Sequence, residues 1–549
     1  MCARERNYTA TRKAYMPQTE VDVLVIGSGA AGAALTKRLT DLGAKVLCLE
    51  QGGWIRPSDY PSSKPNWELQ IHRGSFHFSP NVRKRWEDYP VAETGANPPG
   101  VLMFNAVGGS THHWAAHFPR FHPSDFRART LDGVGDDWPI RYQDLERYYD
   151  MNDVETGVAG LNGDPANPPR SPRPTPPLPI GVLGETIGKG FNKLGWHWWV
   201  SDNAIISQPY DSRPTCGMHG KCLFGCPIGA KASTDITYWR KALRKGARVE
   251  PWSRVRGITV DKRGRARGAL YYDRQGALHE QLAKVVVVCC NGIGTPRLLL
   301  NSKSNLFPNG LANSSGMVGK NFMIHPFRTL EGVFEAPMDG HEGPFGIPAM
   351  SQEFYETDMS RGFARGYTLL LERSFGPLHQ AWGSFANHPV PWGKEHHAVM
   401  KKRFPHLIRV TVMGEDLPEE HNRVEIDPEL KDTSGIPAPR VVYSYGENSL
   451  KMLEHGRAMA RQSLESAGAI EILDSGPVTP AYHLMGTARM GNDPRRSVVD
   501  GSNRAHDVKN LYVVDGSSFA TSAAVNPTST IGALALRAAD QIWERRREM

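Results

Sequence analysis

Residues 21–50 constrain the fold most. Val21 to Ile26 (VDVLVI) is a short, β-branched apolar run of the kind a buried parallel strand requires. It leads directly into Gly27-Ser28-Gly29-Ala30-Ala31-Gly32 and a helix-like stretch, ALTKRLTDLG. A second strand, AKVLCLE, ends at Glu50. This is the strand–turn–helix–strand fingerprint of a dinucleotide site in its proper context. Gly27 serves the tight turn, Gly29 lets the backbone approach a pyrophosphate, and Gly32 lets helix and strand pack closely. The anion sits at the helix N-terminus, where unpaired N–H groups and the macrodipole favour it. Glu50 is placed to accept from ribose hydroxyls. The pattern alone does not choose FAD over NAD.

At 549 residues the chain exceeds one ordinary core, so two or more packed regions are expected. Its 40% apolar and 22% charged composition excludes a mainly disordered or fibrous protein. No apolar run approaches the roughly 20 residues of a membrane span; the densest is Val285 to Cys290. An integral membrane protein is therefore not expected. The formal charge of +8 is spread over interspersed cations and anions with no nucleic-acid reader motif, so no nucleic-acid partner is expected. The first twenty residues carry no apolar export segment. This reads as cytoplasmic, or as periplasmic if the chain is exported with a signal-bearing partner.

Eight prolines between Pro165 and Pro179 mark an extended connector between two helical stretches. Toward the C-terminus, NLYVV ends in Asp515-Gly516, and Asn526-Pro527-Thr528 opens an apolar helix. KVVVVCCNGIGTPRLLL forms another strand-to-helix turn, and segments within 330–450 alternate as an antiparallel sheet does.

With these motifs in order, the chain resembles the glucose–methanol–choline (GMC) oxidoreductases, FAD-dependent alcohol oxidases and dehydrogenases. The marks are VIGSGAAGAAL with Glu50, NAVGGSTHHWAAHFPRF (105–121), CCNGIGTPRLLLNS (289–302), and AYHLMGTARMG (481–491) through NLYVVDGSSFATSAAVNPTSTIGALALRAA. Bacterial sugar dehydrogenase large subunits are most similar, with aminoglycoside oxidases also alike. The implied fold is α/β: a Rossmann-like FAD domain on a parallel sheet, made of 20–55, 95–122, 205–325 and 475–549. The substrate domain, with its connecting excursions, takes 56–94, 123–204 and 326–474 and is built on an antiparallel sheet.

By the same resemblance His483 is the base, with Asn526 as its partner. An imidazole with an ordinary pKa near 6.5 can accept the hydroxyl proton, and the Asn526 amide can polarise the alcohol oxygen. FAD is implied as cofactor, on Gly27, Ser28, Gly29, Ala30, Ala31, Gly32, Glu50 and Gln51. Gly108, Gly109, Thr111, His113, Trp114, Val255, Asn291 and Gly292 belong to its site too, with Asp515, Gly516, Asn526, Pro527 and Thr528. Some family members carry FAD covalently at the His113 position; the non-covalent form is preferred here.

Cys216, Cys222 and Cys226-Pro227 place three thiols within eleven residues, a spacing that iron–sulfur ligands can adopt. Buried thiols, one disulfide with a spare, or zinc with His219 are open alternatives. The resemblance implies a three-iron cluster that relays electrons outward. Trp196, Trp198 and Trp199 could stack a sugar ring, with core packing preferred. The leading reading is oxidation of an alcohol on a sugar or glycoside, with hydride passing to flavin N5 and electrons to a non-oxygen acceptor such as a protein. An oxygen-using oxidase is the nearest alternative; a lyase with a structural flavin, or a non-enzymatic flavin protein, is of another class.

Overall fold

A computed structural model describes residues 18–72, 86–384, 387–478 and 481–548. Its first core is a seven-stranded sheet. β1 (Gln18–Ile26) pairs in parallel with β2 (Val46–Leu49) on one side and with Leu278–Val288 on the other. Arg248–Glu250 extends the sheet beyond β2, and Leu511–Val513 adds in parallel to Leu278–Val288. Arg254–Val260 and Ala266–Tyr272 complete it as an antiparallel flap. The apolar runs of the sequence become strands with both faces covered, as Leu24, Val25, Val286 and Val287 are fully buried. Helix α1 (Ala30–Asp41) lies on one face beside the C-terminal helix Thr528–Glu544.

The second core is a six-stranded antiparallel sheet. Its central strands are Phe327–Val333, Leu407–Gly414 and Tyr367–Glu372. Strand alternation divides its residues between two faces. Leu330, Leu369, Leu371, Val410 and Val412 pack against the helix Glu447–Ala467, in a cluster with Met452, Leu453 and Leu464. Phe327, Thr329, Leu370, Glu372, Arg409 and Thr411 point the other way, toward the nucleotide half.

The expectation of one antiparallel sheet through 330–450 needs a refinement. HLIRVTVMGED supplies a strand of the large sheet, but Arg423–Lys431 pairs with Pro437–Val442 and, through it, with Ala92–Thr94 in a separate three-stranded sheet. The proline-rich connector holds no helix or strand, and its flanks are the helices Gln143–Thr156 and Gly181–Leu194. The tryptophans after Gly195 pack as core and edge residues. Trp196 sits edge-on to Phe354, and Trp198 Nε1 donates to Asn192 Oδ1. No described helix is long and apolar enough to cross a membrane.

Candidate active site

One cavity of about 480 Å³ runs from the carboxyl ends of the parallel strands to the inner face of the antiparallel sheet. The crevice beyond the strand ends of an open α/β sheet is where ligands bind in such folds.

The three fingerprint glycines do three different things. Gly27 has φ of +97°, and a Cβ there would lie 2.4 Å from Cys289 O. Gly32 packs so tightly that a Cβ would lie 2.0 Å from Gly27 O. A Cβ on Gly29 would meet nothing within 4 Å, so its surface opens on the cavity at the start of α1. Ser28, Ala30, Ala31, Glu50 and Gln51 line this end. Glu50 Oε2 accepts from Ser28 N at 3.0 Å and Ser28 Oγ at 2.7 Å, and Oε1 accepts from Gly52 N at 2.8 Å. Burial pushes its carboxyl above the usual range against the pull of these donors. Each carboxylate oxygen can accept more than one bond, so the acid is fixed without being saturated.

Of the other positions expected at a cofactor, Gly109, Thr111, His113, Trp114, Val255, Asn291, Asp515, Gly516, Pro527 and Thr528 line the cavity. Gly32, Gly108 and Gly292 do not; they let backbones approach, Gly292 within 2.5 Å of Leu484 for a Cβ. The Asp515 side chain faces protein, accepting from Asn291 N, Thr295 Oγ1 and Ser517 N at 2.7–3.0 Å. It ties the last parallel strand to the start of the helix Asn291–Asn301. A dinucleotide fits this set: an open glycine cradle at a helix N-terminus, a fixed acid at the end of β2, and the Trp114 Nε1 donor buried without a hydrogen-bond partner.

His483 and Asn526 meet at the other end, with His483 Nε2 3.3 Å from Asn526 Nδ2. Two further histidines, which sequence reasoning missed, complete the group. His325 Nε2 lies 2.8 Å from Ala523 O and 3.2 Å from Ser522 O. A carbonyl only accepts, so this nitrogen carries the proton and His325 Nδ1 carries the lone pair. His483 Nδ1, 2.7 Å away, must then donate, leaving a lone pair on His483 Nε2. That lone pair fixes the Asn526 amide with its NH2 toward His483. Asn526 Oδ1 accepts from His117 Nδ1 at 2.7 Å. Two neighbouring backbone oxygens thus set the protons of four side chains.

All three imidazoles are held neutral. Burial pushes His325 and His117 down to about 4. It drives His483 well below the ordinary histidine range, with nearby His325 and His117 adding to the effect. The supporting loop is anchored to the antiparallel half, as Thr368 Oγ1 donates to Ala524 O at 2.7 Å and Ser522 Oγ to Asp416 O at 2.9 Å. No periodic signal singles out His117 or His325 among twenty histidines. Only the third histidine in the 112–117 run hinted at one of them.

The loop that carries Cys216, Cys222 and Cys226 closes around a buried lysine. Among the described residues no group of three or more His, Cys, Asp or Glu is placed to hold a metal ion, so neither the three-iron cluster at Cys216, Cys222 and Cys226 nor a zinc site with His219 is supported. Lys231, 1% exposed, donates from Nζ to His112 O and Cys222 O at 2.7 Å and to Trp114 O at 3.3 Å. Peptide oxygens converge on the lysine, and the three thiols stand close enough to one another to interact electrostatically. Burial raises the Cys216 thiol and pushes Cys222 up to about 12, and all three cysteines are free. His113 Nδ1 donates to Leu223 O at 2.8 Å, so the loop also holds the cavity-lining histidine. Replacing Lys231 by Met strands these buried carbonyls, which should cost about 2–4 kcal/mol. A thermal melt of the purified variant checks this; an unchanged Tm contradicts it.

The profile of the family described as GMC oxidoreductase matches the chain twice, over residues 181–327 and 418–535. The chain is 46% identical over 533 residues to a 2-methyl-1,2-propanediol dehydrogenase of Mycolicibacterium austroafricanum, covering 96% of each chain. It is 32% identical to the fructose dehydrogenase large subunit of Gluconobacter japonicus, covering 95% of this chain and 97% of that one. A 6'''-hydroxyparomomycin C oxidase of Streptomyces lividus is 29% identical, over 94% of this chain and 90% of its own length. Among solved structures, pyridoxine 4-oxidase from Mesorbium loti aligns with a TM-score of 0.62 at 18% identity, over 95% of this chain and 99% of that one. A formate oxidase from Aspergillus oryzae aligns with a TM-score of 0.66 at 15% identity, over 97% and 100%. These last two likenesses concern the fold.

Proposed function

The chain belongs to the GMC oxidoreductase family, and from that premise we propose that it is an FAD-dependent dehydrogenase oxidising one hydroxyl of a small diol, with His483 as the base. The observation that carries the reading is the tautomer chain ending in a lone pair on His483 Nε2, inside the cavity that begins at the fingerprint glycines.

Gly27, Gly29, Glu50 and the residues around them would hold FAD, which when bound supplies the hydride acceptor. The chain's own residues do the rest. The alcohol O–H takes the place of the Asn526 N–H on the His483 Nε2 lone pair, and the displaced amide N–H donates to the same oxygen as it loses its proton. The imidazolium that forms keeps its Nδ1–H on His325, so the charge is shared without a second proton moving. Water is displaced by Phe327, Phe345, Ile347 and Leu370, which line the cavity as an apolar wall, Phe327 beside the His483 ring. That apolar wall and the 46% identity to a relative named for a diol favour a short diol over the sugar expected from sequence, which the 32% relative keeps as the second reading.

The test is anaerobic bleaching of the purified yellow protein by a panel of diols, alkanols and sugars. Reduction by short diols is expected; a colour that no alcohol bleaches overturns the reading and favours a lyase or a flavin-binding role. Peroxide yield in air then separates an oxidase from the dehydrogenase proposed here, and denaturation shows whether FAD is released or stays on His113.

A pH profile follows from the neutral imidazoles. The base works only unprotonated, and its pKa in the fold lies below the ordinary 6.5. Flavin reduction per encounter (kred/Kd) should be level from about pH 8 to below about pH 6, falling only in stronger acid. An acid limb centred at 7 or above contradicts the assignment.

A further inference from the structure

The cavity that holds the histidines carries a second chain of fixed protons. Thr329, Thr411 and Glu372 lie on the inner face of the antiparallel sheet, with Thr411 directly across from Thr329 on one side and from Leu370 on the other. The Glu372 carboxylate pairs with Arg409 Nε at 2.9 Å across the same strands. A carboxylate only accepts, so Thr411 Oγ1, 2.5 Å from Glu372 Oε2, donates its proton there. Thr411 has no second proton. Its hydroxyl oxygen can therefore only accept from Thr329 Oγ1, 3.0 Å away. Thr329 spends its own proton on that bond, which leaves its oxygen with lone pairs alone.

All four of these residues line the cavity that holds His483, and Thr329 and Thr411 are 5% and 4% exposed. The surroundings are otherwise apolar, from Phe327, Phe345, Ile347 and Leu370. We propose that Thr329 Oγ1 is the specificity-determining acceptor for a second hydroxyl of the substrate, so that the site takes a group that donates a hydrogen bond there and rejects one that only accepts. This rests on the alcohol-oxidising reading of the cavity and names what the far end of its substrate must carry. An ether, ester or carboxylate oxygen brings lone pairs against the lone pairs of Thr329 in a dry pocket. A hydroxyl completes a relay of four oxygens running down to Glu372. Buried polar groups left unpaired discriminate more strongly than a missing methylene does.

The experiment uses the FAD-loaded protein and stopped-flow reduction without oxygen. Ethylene glycol, 1,3-propanediol, 1,4-butanediol and 2-methyl-1,2-propanediol are each compared with the ether that carries a methyl in place of the second hydroxyl proton. The reacting CH2OH is the same in each pair. For at least one spacing the diol should exceed its ether by about tenfold or more in kred/Kd, with the difference mainly in Kd. Thr329→Val, of nearly the same shape, should bring that ratio close to one, while Thr329→Ser should restore it. Equal reduction by diol and ether at every spacing in the wild type overturns the proposal while leaving alcohol oxidation standing. So does a preference that survives in Thr329→Val. A flavin that none of the eight compounds reduces removes the reading beneath the proposal and the proposal with it. If Thr329→Val does not fold, the wild-type ratios and Thr329→Ser still decide.

Discussion

His483→Ala should retain FAD yet lose about 10²–10⁴-fold in the rate of flavin reduction, the usual cost of removing a positioned base. The loss should fall on the limiting rate at saturating alcohol, since the imidazole is needed when the O–H bond breaks. His325→Ala tests the same idea one bond further away. Nothing then compels His483 to keep its proton on Nδ1, so part of the population presents an N–H to the alcohol in place of a lone pair. A loss of about tenfold or more is expected, smaller than for His483→Ala, with FAD content unchanged. Stopped-flow reduction with a bound-flavin assay measures both. An unchanged rate in His483→Ala would remove it from the base role, whatever became of His325.

Gly29→Val should fold and stay colourless. The glycine's missing side chain opens on free space, since a Cβ there meets no protein atom within 4 Å, but a valine occupies the surface along which a dinucleotide would run. FAD affinity should fall by about a hundredfold or more, with the melting temperature of the cofactor-free protein within a few degrees of wild type. Gly32→Val makes the contrast. Its side chain would collide with the Gly27 carbonyl and with Val25, so this variant should lose the fold along with the flavin. Titration of apo-protein with FAD, read by quenching of flavin fluorescence, separates the two. A Gly29→Val protein as yellow as wild type would move the cofactor away from this turn.

The residues differ in how far the sequence alone could place them. The fingerprint is local: strand, turn and helix lie within thirty residues, and the steric reason for each glycine follows from that geometry. His483 and Asn526 sit in motifs short enough to read. His325 and His117 do not, because their value comes from a carbonyl and an amide that only the folded chain brings within 2.7–2.8 Å. The cysteine loop shows the limit most plainly. Its spacing permits sulfurs to turn inward together, and it equally permits carbonyls to do so. What the spacing does not reveal is the buried Lys231 that the loop surrounds, whose type in a GAK tripeptide reads as a surface residue. The two hydroxyls at 329 and 411 were equally hidden, since a proton relay across strands needs the register between them.

The base and the three polar side chains grouped with it come from chain positions 117, 325, 483 and 526, and the strand Leu511–Val513 is the last to join the parallel sheet. During synthesis, His117 and Asn526 emerge about 400 residues apart, roughly 20–80 s at typical rates of translation. For about half of that interval, from residue 288 until residue 511 is made, the carboxyl end of the strand Leu278–Val288 has an unfilled edge, and α1 lacks the helix that covers it. The nucleotide fingerprint is finished early and the reacting end of the cavity late. A nascent chain with a premature flavin would therefore be unable to oxidise anything, and a chaperone that shields one short strand edge until residue 513 has been made would guard the whole assembly.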